Sequence, residues 1–225
     1  MAEQPHNQTD SQGRKQGYWE ETGRLGETGK GLYVDDLRQG LWKAYDSNGT
    51  LWWETHYLNG ELHGIHKRYR LDSDDAILYE TTYLNGKVHG TKKKYYDDGT
   101  LESETLYQND LRQGPFKDYH TNGNTHNEGQ YVDDLKQGIW KTYWRNKQLH
   151  IESPYLDGML HGVIWNYNKD GTLDFFRVMK EDTQIYESLP EEAQALNRII
   201  PFIGLDKWSH LDPNLILGLH LFGML

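Results

Sequence analysis

The feature that most constrains this chain is a glycine that recurs at a nearly constant interval. The interval is 24 residues, except for one of 26. The recurring glycines are Gly40, Gly64, Gly90, Gly114, Gly138 and Gly162. A tyrosine lies seven residues before each glycine and another lies five residues after it: Tyr33, Tyr45, Tyr57, Tyr69, Tyr83, Tyr95, Tyr107, Tyr119, Tyr131, Tyr143, Tyr155 and Tyr167. A fixed period of this length predicts a repeat protein, in which each unit packs on its neighbours.

Each repeat carries two turn signals, which predict two strands per unit. In the third repeat the signals are Asn85-Gly86 and Asp98-Gly99, and both dipeptides favour tight hairpins because their residues adopt positive φ. Equivalent dipeptides are Asn59-Gly60, Asp157-Gly158, Asn48-Gly49, Asn122-Gly123 and Asp170-Gly171. We predict hairpin units over 33–56, 57–82, 83–106, 107–130, 131–154 and 155–178. The predicted fold class is an all-β repeat, an elongated single-layer antiparallel meander with a short α-helical C-terminal extension.

The composition excludes several classes of protein. Hydrophobic residues make up 36% of the chain and aromatic residues 13%, so there is little aliphatic material for a deep core. The absence of cysteine excludes disulfide scaffolds, thiolate zinc sites and cysteine nucleophiles. A net charge of −10 disfavours nucleic acid as a partner. The first residues show no secretory signal, and we expect a cytoplasmic protein.

The two ends of the chain differ from the repeats. We expect residues 1–16 to form a disordered arm, 17–180 to form the repeats, and 181–225 to form a helical, apolar tail. The run 215–225 is the most apolar stretch of the sequence, although it is too short to span a bilayer.

The tail has two interpretations, and the sequence leaves both open. It either caps the open end of the repeats or docks on a partner, because an apolar segment of this kind needs a cover. In the first case Leu217, Leu221 and Phe222 contact the last repeats near Trp165, Phe175 and Phe176. In the second case the same three side chains are partner-binding residues.

Four rings do not follow the repeat rule. Period-two alternation places Trp42, Trp52, Phe116 and Trp140 on the face opposite to a column of tyrosines. We interpret these four rings as an exposed aromatic patch that binds a partner protein. The tyrosines are interpreted as structural, and the repeated lysines and glutamates as cross-strand ladders.

No motif in the chain is interpreted as catalytic. His63 and His66 have a spacing seen in metal sites, but on a strand they face opposite sides. The aspartate pairs lie at turns, where aspartate is favoured for backbone reasons. We therefore expect no catalytic residue, no metal and no cofactor.

The pattern resembles the MORN repeat (membrane occupation and recognition nexus), and more closely its variant with Y-x-N-G-x-x-x-G followed by N-G-x-L-x-x-E. In the third repeat the matching residues are Tyr83, Asn85, Gly86, Gly90, Asp98, Gly99, Leu101 and Glu104. The resemblance covers residues 33–178. Departures occur at Asp110, Asp134, Lys147 and Phe176, and we interpret them as marks of a capping last unit.

The resemblance implies a twisted sheet curved into a shallow groove, and it implies no single function. Variant repeats of this kind are similar to antitoxins and immunity partners of bacterial toxins, whereas other MORN proteins are scaffolds at membrane junctions. The first hypothesis is a non-catalytic scaffold that binds another protein, either a toxin or a larger assembly. The second is a membrane-associated scaffold that binds lipid headgroups, and the negative net charge favours the first. An enzyme is the third and least supported hypothesis.

Overall fold

The structure is a computed structural model that describes residues 6–71, 76–188 and 191–192. It divides into two compact units, residues 1–111 and 112–225. In each unit the described residues form antiparallel strands joined by tight turns. The predicted all-β meander of hairpin repeats is confirmed.

The first unit contains nine strands within its described residues. They are β1 (Gln8–Thr9), β2 (Lys15–Thr22), β3 (Thr28–Val34), β4 (Leu37–Tyr45), β5 (Leu51–Leu58), β6 (Glu61–Tyr69), β7 (Ile77–Leu84), β8 (Lys87–Tyr95) and β9 (Leu101–Gln108). Each strand pairs antiparallel with the next along the chain. Two strands therefore form per repeat, as the turn signals predict.

The second unit continues the pattern, except that one strand is divided in two after Leu160. Its strands are β10 (Leu111–Tyr119, entering the unit at Arg112), β11 (Thr125–Val132), β12 (Leu135–Tyr143), β13 (Leu149–Leu156), β14 (Met159–Leu160), β15 (Gly162–Tyr167), β16 (Leu173–Lys180) and β17 (Thr183–Glu187). β13 pairs with both β14 and β15, and all other pairs join consecutive strands.

The first turn of each repeat is a two-residue turn in which both residues have positive φ. Asn59 and Gly60 have φ values of 51° and 84°, and Asp157 and Gly158 have 50° and 85°. Turns of this hand match the right-handed twist of the flanking strands, and here the prediction from the dipeptides is confirmed.

The second turn is longer and differs from the prediction. Between Asp46 and Thr50, only Gly49 has a positive φ, at 83°. Asp46 Oδ1 accepts the backbone N–H groups of Asn48 and Thr50 at 2.9 and 2.8 Å. This is a three-residue loop that ends in a glycine bulge. The expectation of two positive φ values at Asn48-Gly49 is wrong, because this loop needs one left-handed residue.

Aspartate in place of the turn glycine proves to be a second form of the two-residue turn. Asp110 and Asp134 keep positive φ values of 71° and 67°. Their Oδ1 atoms accept the backbone N–H groups of Val88 and Arg112, one repeat earlier, at 2.7 and 2.9 Å. This extra hydrogen bond, which glycine cannot make, offsets the cost of the left-handed backbone. The two aspartates are therefore not marks of a capping unit.

The recurring glycine allows a bulge in the strand that follows the two-residue turn. In the β3–β4 pair, Leu32 lies opposite Gln39 and Lys30 opposite Lys43, so Gly31 alone faces three residues of β4. The first of the three is Gly40, whose φ is 67°. The bulge is conformationally costly for other residues, and it moves the third residue, Trp42, over Gly31.

The register corrects the predicted assignment of faces. Trp42 lies opposite Thr55, and Lys43 lies opposite Glu54. Directly opposite residues share a face, so Trp42 lies on the face of Thr55 (the aromatic face), and Lys43 and Glu54 lie on the other (the ladder face). The tyrosines before each glycine lie on the aromatic face and those after it, such as Tyr69, on the ladder face. The prediction failed because the bulge at the second turn shifts the register and reverses the alternation.

Both predicted domain limits also need correction. Within 1–16, β1 pairs with β2, because Asp10 Oδ1 closes the intervening turn by accepting the N–H groups of Gln12 and Arg14. Within 181–225, residues 183–187 form β17 rather than helix, because Glu181 and Asp182 make another turn with two positive φ values. The remainder of the tail lies almost entirely outside the described residues.

Candidate protein-binding surface

The aromatic face of the first unit is built around one buried tryptophan. The Trp42 ring is fully buried and lies edge to face between Tyr33 and Tyr57, at centroid distances of 5.0 and 6.4 Å. Its Nε1 donates a hydrogen bond of 3.0 Å to the Leu32 carbonyl. The Arg38 guanidinium lies 4.4 Å from the ring centroid, so a cation covers the stack from outside.

The second unit repeats this arrangement on its own aromatic face. Trp140 lies 5.0 Å from Tyr131 and 6.2 Å from Tyr155, and it stacks on Phe116 at 5.4 Å. The Lys136 ammonium lies 4.3 Å from the Trp140 centroid and 4.7 Å from that of Tyr155. In each unit the rings therefore form a packed core, and a cationic side chain covers that core.

A size rule across neighbouring strands explains why tryptophan stands at these two positions. A Cβ placed on Gly31 would lie 2.4 Å from Trp42, and one placed on Gly129 would lie 2.3 Å from Trp140. Where the strand carries Thr55, Thr81 or Ser153 instead, the residues eleven positions later are the smaller or more flexible His66, Lys92 and Ile164. Tryptophan thus fills the space that a missing side chain leaves, which is a structural role.

The predicted exposed aromatic patch does not form. Trp42 is 0% exposed and Trp140 is 7% exposed, so neither ring presents a surface to a partner. Phe116 and Trp52 are half-buried, and the Arg68 guanidinium lies 4.0 Å from the Trp52 centroid. The prediction was wrong because each buried tryptophan packs over a glycine of the neighbouring strand, Gly31 or Gly129. Leu217, Leu221 and Phe222 lie outside the described residues.

An open depression lies on the aromatic face of the second unit. Its volume is about 260 Å³, and it is lined by Phe116, Asp118, Asn127, Tyr131, Lys136, Trp140, Thr142, Ser153 and Tyr155. At its polar end Asn127 Nδ2 donates to both carboxylate oxygens of Asp118 at 3.0 Å, and Thr142 Oγ1 donates to Asn127 Oδ1 at 2.7 Å. These polar groups satisfy one another, which leaves little free hydrogen-bonding capacity for a ligand.

The ladder face carries a repeated lysine, glutamate and tyrosine triplet, which confirms the predicted ladders. Glu54 accepts from Lys43 at 2.7 Å and from the Tyr69 hydroxyl at 2.9 Å. The same contacts join Glu80 to Lys67 and Tyr95, and Glu128 to Lys117 and Tyr143. The triplets tie three consecutive strands together through side chains.

The ladder contacts shift the ionisation of their members. The hydrogen bond from Tyr143, with Lys117 nearby, holds the pKa of Glu128 below its usual value despite partial burial. Burial, together with the hydrogen bond to Glu80, raises the pKa of Tyr95 to about 12. These contacts are therefore fully formed when Glu128 is ionised and Tyr95 is protonated.

Exposed aliphatic side chains flank the two-residue turns on the ladder face. In the first unit this turn-edge stripe is Val34, Leu37, Leu58 and Leu84, and in the second it is Val132, Leu135, Leu156 and Met159. Each of these side chains is between 39% and 48% exposed. The stripe was not among the predicted binding residues, although apolar residues on either side of most of these turns are visible in the sequence.

The described residues offer no arrangement suited to a metal, and they do not include a membrane-spanning helix. Among residues 6–71, 76–188 and 191–192, no group of three or more histidine, aspartate or glutamate side chains could hold a metal ion. In the same part of the chain no helix has the length and apolarity needed to cross a bilayer.

Comparison with known proteins identifies the repeat. The family model of the MORN repeat variant matches residues 38–59, 88–109, 112–133 and 136–157. No curated protein sequence matches the chain significantly. A solved structure that matches, the crystal structure of TarM, is 14% identical with a TM-score of 0.31 over 44% of this chain and 19% of that chain. This chain thus spans about a fifth of TarM, and likeness at this level says nothing of function.

Proposed function

This chain is a MORN-repeat protein, and from that premise we propose that it is a non-catalytic scaffold that binds a partner protein along its turn-edge stripe. MORN repeats are in general scaffold or binding repeats. The most specific form of the proposal is an antitoxin or immunity protein that holds a toxin in the cytoplasm.

The observation that carries the proposal is the exposure of the stripe. Leu37 and Leu135 each approach the glycine of the next turn. Leu37 Cδ2 lies 3.2 Å from where a Cβ on Gly60 would stand, and Leu135 Cδ2 lies 3.2 Å from where a Cβ on Gly158 would stand. Even so, 46% of Leu37 and 48% of Leu135 remain exposed. Rows of exposed aliphatic side chains are unfavourable in water and mark interaction surfaces. The aromatic face, by contrast, already covers its own rings.

The experiment is site-specific photo-crosslinking in cells that express the protein. A photoreactive amino acid replaces Leu58 or Leu84, and the matched control replaces Lys92, which is exposed on the aromatic face of the same unit. We expect one protein adduct at the two stripe positions and none at Lys92. Equal labelling at all three positions, or adducts with lipid alone, would overturn the proposal, and the second result would support the membrane-associated scaffold.

A further inference from the structure

Resting on the proposed function, we infer that the stripe of the second unit binds a basic amphipathic α-helix of the partner protein. The surface consists of Val132, Leu135, Leu156 and Met159. Val132 lies opposite Leu135, and Leu156 lies opposite Met159, so the four side chains share the ladder face at two successive turns. In the first unit the equivalent stripe is interrupted by Glu61 and Lys87, which makes the second unit the better surface.

Carboxylates border this stripe and are free to pair with a partner. Asp133, Asp157 and Glu181 are exposed and occupy the first position of three successive turns. Among the described residues, none of these three carboxylates takes part in a hydrogen bond or ion pair. An aliphatic row beside unpaired carboxylates, in a chain with a net charge of −10, is complementary to an apolar surface bordered by lysine or arginine.

The turns leave few backbone groups with which an added strand could pair. The N–H groups of Asp134, Gly158 and Asp182 donate to carbonyls one repeat earlier, at 3.1, 3.0 and 3.0 Å. The N–H groups of Asp133 and Asp157 donate to the side-chain oxygens of Gln113 and Gln137, both at 2.8 Å. A partner must therefore dock through side chains, which favours a helix over β-strand addition.

The spacing of the turns fits a helix laid across the strands. Successive two-residue turns are two strands apart, which is about 10 Å in an antiparallel sheet. Seven residues of an α-helix also rise about 10.5 Å. Basic residues at i, i+7 and i+14 would consequently face Asp133, Asp157 and Glu181 in turn. The apolar residues of the same helix would lie on the stripe.

The test measures binding of designed 21-residue peptides by the full chain, using fluorescence anisotropy at low and moderate salt. The first peptide is an amphipathic Leu/Lys helix of three heptads, the second replaces every lysine with glutamate, and the third scrambles the first. The chain is compared with Leu135→Ser/Leu156→Ser and with Asp133→Asn/Asp157→Asn/Glu181→Gln. A control with the same charge change, Asp97→Asn/Glu102→Gln/Asp174→Asn, alters exposed or partly exposed carboxylates outside the stripe.

We expect only the Leu/Lys helix to bind. Its affinity for the serine variant should be at least about tenfold lower than for the original chain. We expect a similar, salt-dependent loss for the neutralised variant and little change for the control. Equal binding of the lysine and glutamate peptides, with loss in the serine variant, overturns the basic helix but keeps the stripe as a binding surface. Equal binding of the peptide by the original chain and by the serine variant overturns the inference. Binding to phosphatidylserine vesicles without binding to any of the peptides also overturns it. The crosslinking result at Leu58 and Leu84 then decides separately on the proposed function.

Discussion

Two segments of the second unit use equivalent backbone positions for opposite chemistry. In the β10–β12 segment, Lys117 and Glu128 pair on the ladder face, about two-fifths and one-third exposed at their side chains. In the β15–β16 segment, Trp165 and Phe176 take those positions and pack at 5.4 Å, each at most 3% exposed. The backbone register is the same, so the fold accepts either a polar ladder or an apolar cluster.

The difference shows where the stability of a thin sheet comes from. The apolar cluster consists of Val163, Trp165, Tyr167, Leu173, Phe176 and Val178. Exposed ion pairs contribute less than about 1 kcal/mol each, whereas a buried aromatic side chain contributes several times as much. The last repeat is therefore expected to be the most stable part of the second unit, and the ladder repeats to open first.

The largest expected effect comes from cutting into the apolar cluster. Phe176→Ala should lower the free energy of unfolding by about 3–5 kcal/mol, because it leaves a cavity beside Trp165. Glu128→Ala, the matched change in the ladder, should cost about 1 kcal/mol or less. Urea denaturation of both variants measures the difference, and equal losses would contradict the comparison.

A second test breaks the size rule on the aromatic face. Gly129→Thr should destabilise by about 1–3 kcal/mol, because the new Cβ collides with Trp140. Adding Trp140→Phe provides a smaller ring beside the new threonine and should recover most of the loss. Thermal melts of the single and double variants give the coupling, and additive losses would refute the rule.

Lowering the pH should separate the two segments without mutation. Glu128 has a lowered pKa, so its contribution is present above the ordinary value of 4.5 and is lost as pH falls through the folded-state value. In the first unit the ladder also responds to high pH, because Tyr95 has a raised pKa of about 12 and its contribution, present below pH 10, is lost as pH rises towards 12. The loss at Glu128 should be about 1 kcal/mol or less at low pH. Native-state hydrogen exchange should show β11 and β12 losing protection as the pH falls below 4.5, and equal loss in β15 and β16 would count against the ladder.

The smallest effect is a gain at one second turn. Lys147 stands where other repeats have glycine, and its φ is 73°. Lys147→Gly should stabilise the protein by about 0.5–1 kcal/mol, because the left-handed conformation costs lysine more than glycine. Lys169→Gly, a change elsewhere in a turn region, serves as the control and should give no gain in melting temperature.

The sequence predicted two strands in each repeat, because the two turn signals recur with the glycine, but it did not predict β1 and β17. It did not predict the faces, since one bulge at Tyr45 reverses the alternation that places Trp42. The exposed patch failed for a related reason: the partner of Trp42 is Gly31, and a missing side chain leaves no pattern of its own. The aliphatic stripe was predictable in principle from Val34 and Leu37, whose positions flank a turn.

The hydrogen bonds between successive turns have a consequence for how such a chain can lengthen or shorten. The N–H of Gly158 reaches the carbonyl of Lys136, and that of Asp134 reaches the carbonyl of Arg112, each 22 residues back. Between Gly86 and Leu62 the separation is 24, yet the same bond forms, so the two additional residues leave the register unchanged. The gain or loss of a whole hairpin therefore leaves every turn N–H with a hydrogen-bond acceptor, whereas the gain or loss of half a hairpin does not. The number of residues therefore changes by whole hairpins, and a row of these turns can lengthen only in steps of about 10 Å.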